Sequence, residues 1–158
     1  MNEFAKNLIA AAKERKLKIS AAESCTGGLI SAMLTDIPGA SEVIEECIVT
    51  YSNEAKQREL NVSAETLRNE GAVSRSTAYQ MADGICRHTG ADIGIAVTGI
   101  AGPGGGTPEK PVGTVFAGIN ICGNINVYEF HFGGNREEVR TQTCENALRL
   151  AVEGILLI

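Results

Sequence analysis

The chain has 158 residues, 44% of them hydrophobic and 21% charged, and a formal net charge of -5 at pH 7. This composition excludes the disordered and fibrous classes, and the length predicts one domain over residues 1–158 that buries about two-thirds of its unfolded surface. Because the net charge is acidic and the basic residues are scattered, binding to a nucleic-acid backbone is not expected.

Cysteine and histidine usage limits the metal and redox chemistry. The chain has an odd number of cysteines and no C-x-x-C pair, a usage that is typical of a reducing compartment. The five are Cys25, Cys47, Cys86, Cys122 and Cys144. His88 and His131 lie in no metal-ligand spacing, so neither a metal nor another cofactor is predicted. The chain shows no signal-peptide pattern and no 18-residue apolar run, which predicts a cytoplasmic protein without a membrane partner.

The first half of the chain alternates helical and strand patterns. Residues 2–16 have the apolar spacing of an amphipathic helix, residues 17–22 read as a strand, and residues 27–34 return to helical spacing. A β-branched strand follows at residues 43–51, and a short helix at residues 52–61 begins with good cap candidates.

The second half predicts two further helices, three strands and a final helix. Ser63 begins a short helix closed by Gly71, and Ser74 caps a longer one. The predicted strands are residues 93–98, 112–121 and 125–132, the last two joined as a hairpin, and a long helix runs from Asn135 to the end. This order predicts an α/β fold: a three-layer α/β/α sandwich with a mixed sheet ending in an antiparallel hairpin.

The turn between the first strand and the second helix is the first candidate site. Its sequence, Ala21-Ala22-Glu23-Ser24-Cys25-Thr26-Gly27-Gly28, places three potential nucleophiles beside a helix N-terminus, where unpaired N–H groups stabilise negative charge. We expect the glycines to allow close approach of another molecule. The alternative is that Ser24 or Thr26 only caps the helix.

Tyr51 and Lys56 form a second candidate pair. If Ser52 is the N-cap, Tyr51 and Lys56 occupy the N′ and N4 positions, whose side chains meet, so the Tyr hydroxyl is expected beside the Lys amine. Burial and the helix dipole would both lower the pKa of that amine. The alternative is an exposed helix lysine and a tyrosine at a strand end.

A serine nucleophile needs a base, and neither histidine lies in a catalytic motif. The remaining economical arrangement is a Ser–Lys pair, with Lys56 brought to Ser24 because the two preceding strands can be neighbours at one edge of a sheet. Cys25 could itself be a nucleophile, but no histidine pairs with it, so Ser24 is favoured.

Two other features could hold a ligand. The loop from Thr98 to Thr107 is rich in Gly and Pro, fits neither a P-loop nor a dinucleotide-binding motif, and is typical of a lid or pocket wall, the alternative being a flexible crossover. Arg136 and Arg140 lie one turn apart at the start of the last helix, where they either meet a phosphate or carboxylate or form a solvated pair with neighbouring glutamates.

Four motifs in order make the chain resemble the C-terminal domain of the CinA (competence/damage-inducible) family, whose enzymatic members are nicotinamide mononucleotide deamidases. They are Ala22-Glu23-Ser24-Cys25-Thr26-Gly27-Gly28, Val49-Thr50-Tyr51-Ser52-Asn53-Glu54-Ala55-Lys56, Gly71-Ala72-Val73-Ser74, and Thr98-Gly99-Ile100-Ala101-Gly102-Pro103 with Lys110-Pro111-Val112-Gly113-Thr114-Val115. Larger members carry a domain resembling molybdopterin-binding proteins, so this chain resembles the stand-alone form.

The resemblance implies metal-free hydrolysis of nicotinamide mononucleotide to nicotinic acid mononucleotide and ammonia. It makes Ser24 the nucleophile, Lys56 its base and Tyr51 a proton relay or orienting hydroxyl, with an oxyanion hole of N–H groups near Thr26 to Gly28. We add the following residues to the substrate-binding set: Cys25, Thr26, Gly27, Gly28, Thr98, Gly99, Gly102 and Arg140.

A second hypothesis is a non-catalytic nucleotide- or phosphate-binding module that regulates a partner, favoured by the two glycine-rich segments. The apolar end of the chain, Ile155 to Ile158, suggests a surface that another copy could cover, and therefore a homo-oligomer.

Overall fold

Helices and strands follow one another in the predicted order in the computed structural model, which describes all residues 1–158. A one-turn 3-10 helix at Ala40–Glu42 is the one addition. The elements are α1 (Glu3–Arg15), β1 (Ile19–Glu23), α2 (Leu29–Thr35), β2 (Ile44–Val49), α3 (Asn53–Leu60), α4 (Ala64–Asn69), α5 (Arg75–Thr89), β3 (Ile93–Gly99), β4 (Thr114–Ile121), β5 (Asn124–His131) and α6 (Arg136–Leu156).

The five strands form one mixed sheet in the order β2-β1-β3-β4-β5. Strands β2, β1 and β3 are parallel, and β4 and β5 continue the sheet antiparallel, as the sequence predicts. Glu23, the last residue of β1, is aligned with Val49 of β2 and Val97 of β3. The chain segments that leave these three strands therefore start from one edge of the sheet.

The sheet separates two layers of helices, each with its own apolar core. Ile19 and Ala21 of β1 face a core shared with α1, α2 and α6, and Ala22 faces a second core shared with α3, α4 and α5. This alternation follows from the two-residue period of a strand. The three-layer α/β/α prediction is confirmed, and successive residues of β1 point into different layers.

Helix caps explain several of the predicted boundaries. The side chains of Ser52 and Ser74 accept hydrogen bonds from the N–H groups of Ala55 (3.0 Å) and Thr77 (3.2 Å). Asn135 begins α6 with a reciprocal capping box. These side chains satisfy helix donors that have no partner within the helix.

Two predictions about element ends need correction. The hairpin turn has two residues, Cys122 and Gly123, rather than three, because both adopt positive φ angles (51° and 90°) and Asn124 already pairs with Ile121. At the chain end, Ile155 is buried in the larger core, so the exposed apolar segment is shorter than expected and consists of residues 156–158.

No helix combines the length and the apolar composition that crossing a bilayer requires. All five cysteines are free thiols.

Candidate active site

A cavity of about 280 Å³ lies where β1, β2 and β3 end. Strand β1 pairs with β2, the next strand in the chain, on one side and with β3 on the other. Open α/β sheets place ligands at such a switch in strand order. The cavity lining includes Ser24, Cys25, Lys56, Thr98, Gly99 and Arg136. The fold thus brings most of the sequence-predicted residues to one place.

Ser24 and Lys56 are in direct contact, although they are separated by 32 positions in the chain. Lys56 Nζ lies 3.1 Å from Ser24 Oγ, and it also donates to the main-chain oxygens of Thr50 (2.8 Å) and Tyr51 (3.4 Å). The Lys56 side chain is completely buried, and Ser24 is 9% exposed. The exposed-lysine alternative is therefore wrong.

The surroundings of Lys56 favour the neutral amine. No ion pair in the structure involves Lys56. Burial lowers the pKa of Lys56 from its ordinary value of 10.5. A thiolate at Cys25 would oppose this shift, but burial raises the pKa of Cys25 to about 11, so the thiol is neutral near pH 7.

The three contacts of Lys56 can be made by an ammonium, which has three donors, and also by a neutral amine. Such an amine has two N–H donors and one lone pair, and the two carbonyl partners can only accept. In the neutral form, which burial favours, both donors go to the carbonyls of Thr50 and Tyr51, and the lone pair faces the Ser24 hydroxyl. This arrangement can remove the proton from Ser24 Oγ.

Neither Ser24 nor Thr26 caps α2, so the capping alternative is wrong. The N-cap position is Gly28, which has no capping side chain. The carboxylate of Glu23 accepts from the N–H groups of Gly28, Ile30 and Ser31 instead. The hydroxyl of Ser24 is thereby left to Lys56.

The expected oxyanion hole needs correction. The N–H of Gly27 donates to the Ser24 carbonyl (3.0 Å), and that of Gly28 donates to Glu23 (3.1 Å). Both glycines have positive φ angles, 59° and 104°, so the backbone of the turn itself favours glycine at these positions. The N–H groups of Cys25 and Thr26 donate to no other residue; Cys25 lines the cavity, whereas Thr26 is completely buried and does not line it.

Tyr51 contacts Lys56 through its main-chain oxygen and not through its hydroxyl. Its side chain is 61% exposed, and its hydroxyl accepts a long hydrogen bond from Arg136 Nη2 (3.4 Å). The expected hydroxyl–amine contact is therefore absent, because the Lys56 side chain runs inward while the Tyr51 ring stays at the cavity mouth.

The two arginines of α6 lie in different surroundings, and Arg140, which was expected in the substrate pocket, is not in the cavity wall. Arg140 donates from Nε to the Cys25 carbonyl (3.1 Å) and from Nη2 to the Thr26 carbonyl (2.8 Å), and it does not line the cavity. Arg136 does line the cavity, where its Nη1 donates to the Gly102 carbonyl (2.8 Å). Arg140 supports the turn, and Arg136 is the arginine that lines the cavity.

Thr98, Gly99 and Gly102, which were expected in the substrate-binding set, lie in the cavity wall. The Thr98 hydroxyl donates to the Ala72 carbonyl (2.8 Å) and so links β3 to the segment before α5. The glycine-rich loop supplies further donors, because four lining residues have N–H groups without an acceptor in the chain: Ala101, Gly102, Gly104 and Gly105. The loop is a pocket wall, one of the two interpretations of its sequence.

The histidines are remote from this chemistry. His88 lies 3.5 Å from Glu46, His131 lies 3.1 Å from Glu129, and neither lines the cavity. The structure gathers no three His, Cys, Asp or Glu side chains into a group that could hold a metal ion. Lys56 is therefore the base within reach of Ser24.

Comparison with known proteins defines the family. The family model described as CinA C-terminal domain matches residues 1–155. A CinA-like protein of Syntrophotalea carbinolica is 56% identical over 124 residues, which are 78% of this chain and 30% of that protein. A CinA-like protein of Dictyoglomus thermophilum is 49% identical over 143 residues, 90% of this chain and 35% of that protein. The chain belongs to the CinA C-terminal domain family.

Solved structures share the whole fold. The competence/damage inducible protein CihA of Agrobacterium tumefaciens superposes with a TM-score of 0.93 at 46% identity, covering 96% of this chain and 93% of that one. A CinA superfamily protein of Klebsiella pneumoniae gives a TM-score of 0.94 at 36% identity, covering 99% and 98%. In contrast, the chain spans about a third of the length of the curated relatives that it matches.

The lowered pKa of Lys56 predicts a pH-dependent stability. Between that pKa and 10.5 the unfolded chain binds a proton that the folded chain does not, so the free energy of unfolding rises with pH across this window. In Lys56→Met this contribution disappears. Urea unfolding from about pH 7 to pH 10 should give a steeper rise for the wild type than for Lys56→Met.

Lys6→Met is the matched control, because Lys6 is exposed and makes no side-chain contact. Its stability curve should stay parallel to that of the wild type. Parallel curves for wild type and Lys56→Met would contradict the prediction, because they would mean that the pKa of Lys56 is the same in the folded and the unfolded chain.

Proposed function

We propose that the chain is an amidohydrolase that converts nicotinamide mononucleotide to nicotinic acid mononucleotide and ammonia, with Ser24 as the nucleophile and Lys56 as its base. One observation carries this proposal: a buried lysine amine without a counter-charge lies 3.1 Å from a serine hydroxyl in a cavity. A structural lysine would be expected to be exposed or paired with a carboxylate.

The first half of the reaction transfers the acyl group to the enzyme. Ser24 Oγ attacks the carboxamide carbon, and its proton moves to the Lys56 amine as the new C–O bond forms. The negative charge on the carbonyl oxygen is stabilised by the free N–H group of Cys25, which lines the cavity. Collapse of this intermediate breaks the C–N bond, and Lys56 returns the proton to the leaving ammonia.

The second half uses water. A water molecule attacks the ester carbon of the acyl-enzyme and gives a proton to Lys56. The C–O bond to Ser24 then breaks, and the proton returns to Ser24 Oγ. The sum is one carboxamide and one water converted to one carboxylic acid and one ammonia. No metal or other cofactor takes part in these steps.

A phosphate on the substrate fits the other side of the cavity. Arg136 supplies a cation, and the loop residues Gly102, Gly104 and Gly105 supply N–H groups that no acceptor in the chain uses. Guanidinium and main-chain N–H groups are the usual partners of phosphate in proteins. The Tyr51 hydroxyl, which contacts Arg136, orients the substrate at the cavity mouth in this proposal.

A non-catalytic nucleotide-binding module is the second candidate, because the same cation and N–H groups would hold a regulatory nucleotide equally well. Such a protein would be stabilised by nicotinamide mononucleotide and would release no ammonia over hours. Relatives and solved neighbours carry names that refer to competence or damage and not to an activity. A cytoplasmic location and a homo-oligomeric state stay predictions.

Substitution of the proposed pair tests the catalytic mechanism. Ser24→Ala should abolish release of ammonia from nicotinamide mononucleotide, and Lys56→Ala should lower kcat by about 10²–10⁴-fold, the usual contribution of a general base. Ser41→Ala and Lys6→Met, at exposed positions without side-chain contacts, are the controls and should keep wild-type rates, with or without EDTA. Equal activity in all five proteins would contradict the assigned roles.

Removal of the cavity arginine tests the phosphate assignment. Arg136→Gln should raise KM for nicotinamide mononucleotide by about tenfold, equivalent to about 1.4 kcal/mol of binding. KM for nicotinamide riboside, which lacks the phosphate, should change little. If both KM values rise equally, Arg136 acts through the loop or through Tyr51 and does not recognise the phosphate.

A further inference from the structure

Glu23 is a buried carboxylate beside the nucleophile with no basic partner. It is the last residue of β1, it is completely buried, and no ion pair involves it. An isolated charge in a protein interior is costly unless hydrogen bonds replace its lost water. The reaction proposed above makes no use of Glu23, so its place in the site needs an explanation.

Five hydrogen bonds satisfy the Glu23 carboxylate, and they come from the turn before α2 and from the start of that helix. Oε2 accepts from the N–H groups of Gly28 (3.1 Å) and Ile30 (3.0 Å) and from the Thr26 hydroxyl, and Oε1 accepts from the N–H (2.8 Å) and hydroxyl of Ser31. The partial positive charge of the helix N-terminus is therefore neutralised by the chain itself. A substrate anion has no place there.

The peptide groups between Ser24 and Thr26 are oriented from both ends. In a trans peptide the C=O and N–H bonds point in opposite directions. The Ser24 carbonyl accepts from Gly27, which turns the N–H of Cys25 away from that bond, and the Cys25 carbonyl accepts from Arg140, which does the same for the N–H of Thr26. These two N–H groups are the ones left without an acceptor.

We propose that Glu23 is a positioning residue: by binding the start of α2 it holds the turn in the geometry that keeps the N–H group of Cys25 free as the oxyanion hole. Arg140 holds the same turn from the opposite side, because it donates to the carbonyls of Cys25 and Thr26. This inference rests on the proposed amidohydrolase function. It predicts that loss of the Glu23 carboxylate weakens binding of the transition state and leaves binding of the substrate nearly intact.

Glu23→Gln tests the proposal with little change in volume. The kcat for nicotinamide mononucleotide should fall by about tenfold or more, while KM changes by less than about threefold, because an oxyanion hole acts mainly in the transition state. The pH–rate profile should keep its shape, because Lys56 is untouched. Glu45→Gln is the matched control, since Glu45 is exposed and makes no side-chain contact.

Amide hydrogen exchange by NMR gives a second readout that does not need activity. In Glu23→Gln the N–H groups of Gly28, Ile30 and Ser31 should exchange about tenfold faster or more, while the amides of β3 keep their protection. Unchanged exchange at these three groups would overturn the proposal, and so would a wild-type kcat. If the wild-type protein shows no turnover, the proposed function is refuted. The exchange rates would still decide whether Glu23 holds the turn.

If Glu23→Gln loses protection throughout the sheet, Ser31→Ala decides the question, because it removes one partner of Oε1 and leaves the charge in place. The proposal then requires a lower kcat at nearly constant KM, together with faster exchange confined to the start of α2. A wild-type kcat in Ser31→Ala with faster exchange at the turn would contradict it.

Discussion

The buried amine of Lys56 is the constraint on which the rest of the site depends. It lies in the interior without a carboxylate partner, and this burial lowers its pKa from the ordinary value of 10.5. A charged amine at this position would lose its water shell, which costs free energy. The buried position of Lys56 therefore favours the neutral amine that a general base needs. The lone pair of that amine faces the Ser24 hydroxyl.

The sheet explains how one short turn can serve two purposes. Successive residues of β1 point to opposite faces, so Glu23 reaches the α2 layer while the next residue, Ser24, meets Lys56 from the α3 layer. The carboxylate and the amine are thereby kept apart, and they do not neutralise each other. A direct ion pair between them would keep the lysine protonated and remove the base.

Much of this could be predicted from the sequence, because the relevant signals are local. Hydrophobic periodicity and cap residues such as Ser52 gave the element order, and parallel neighbouring strands placed Lys56 near Ser24. The roles of Arg136 and Arg140 could not be predicted, since they depend on how α6 is rotated against the turn. The cap supplied by Glu23 was also missed, because sequence rules expect Ser or Thr at the N-cap.

Direct titration of the Lys56 side chain tests the central claim. In protein labelled with ¹³C at lysine Cε, the Lys56 resonance is identified by its absence from Lys56→Met, and its chemical shift is followed against pH. We expect its midpoint to lie clearly below the ordinary value of 10.5 and below those of the exposed lysines. A Lys56 resonance that titrates together with the exposed lysines would contradict the account.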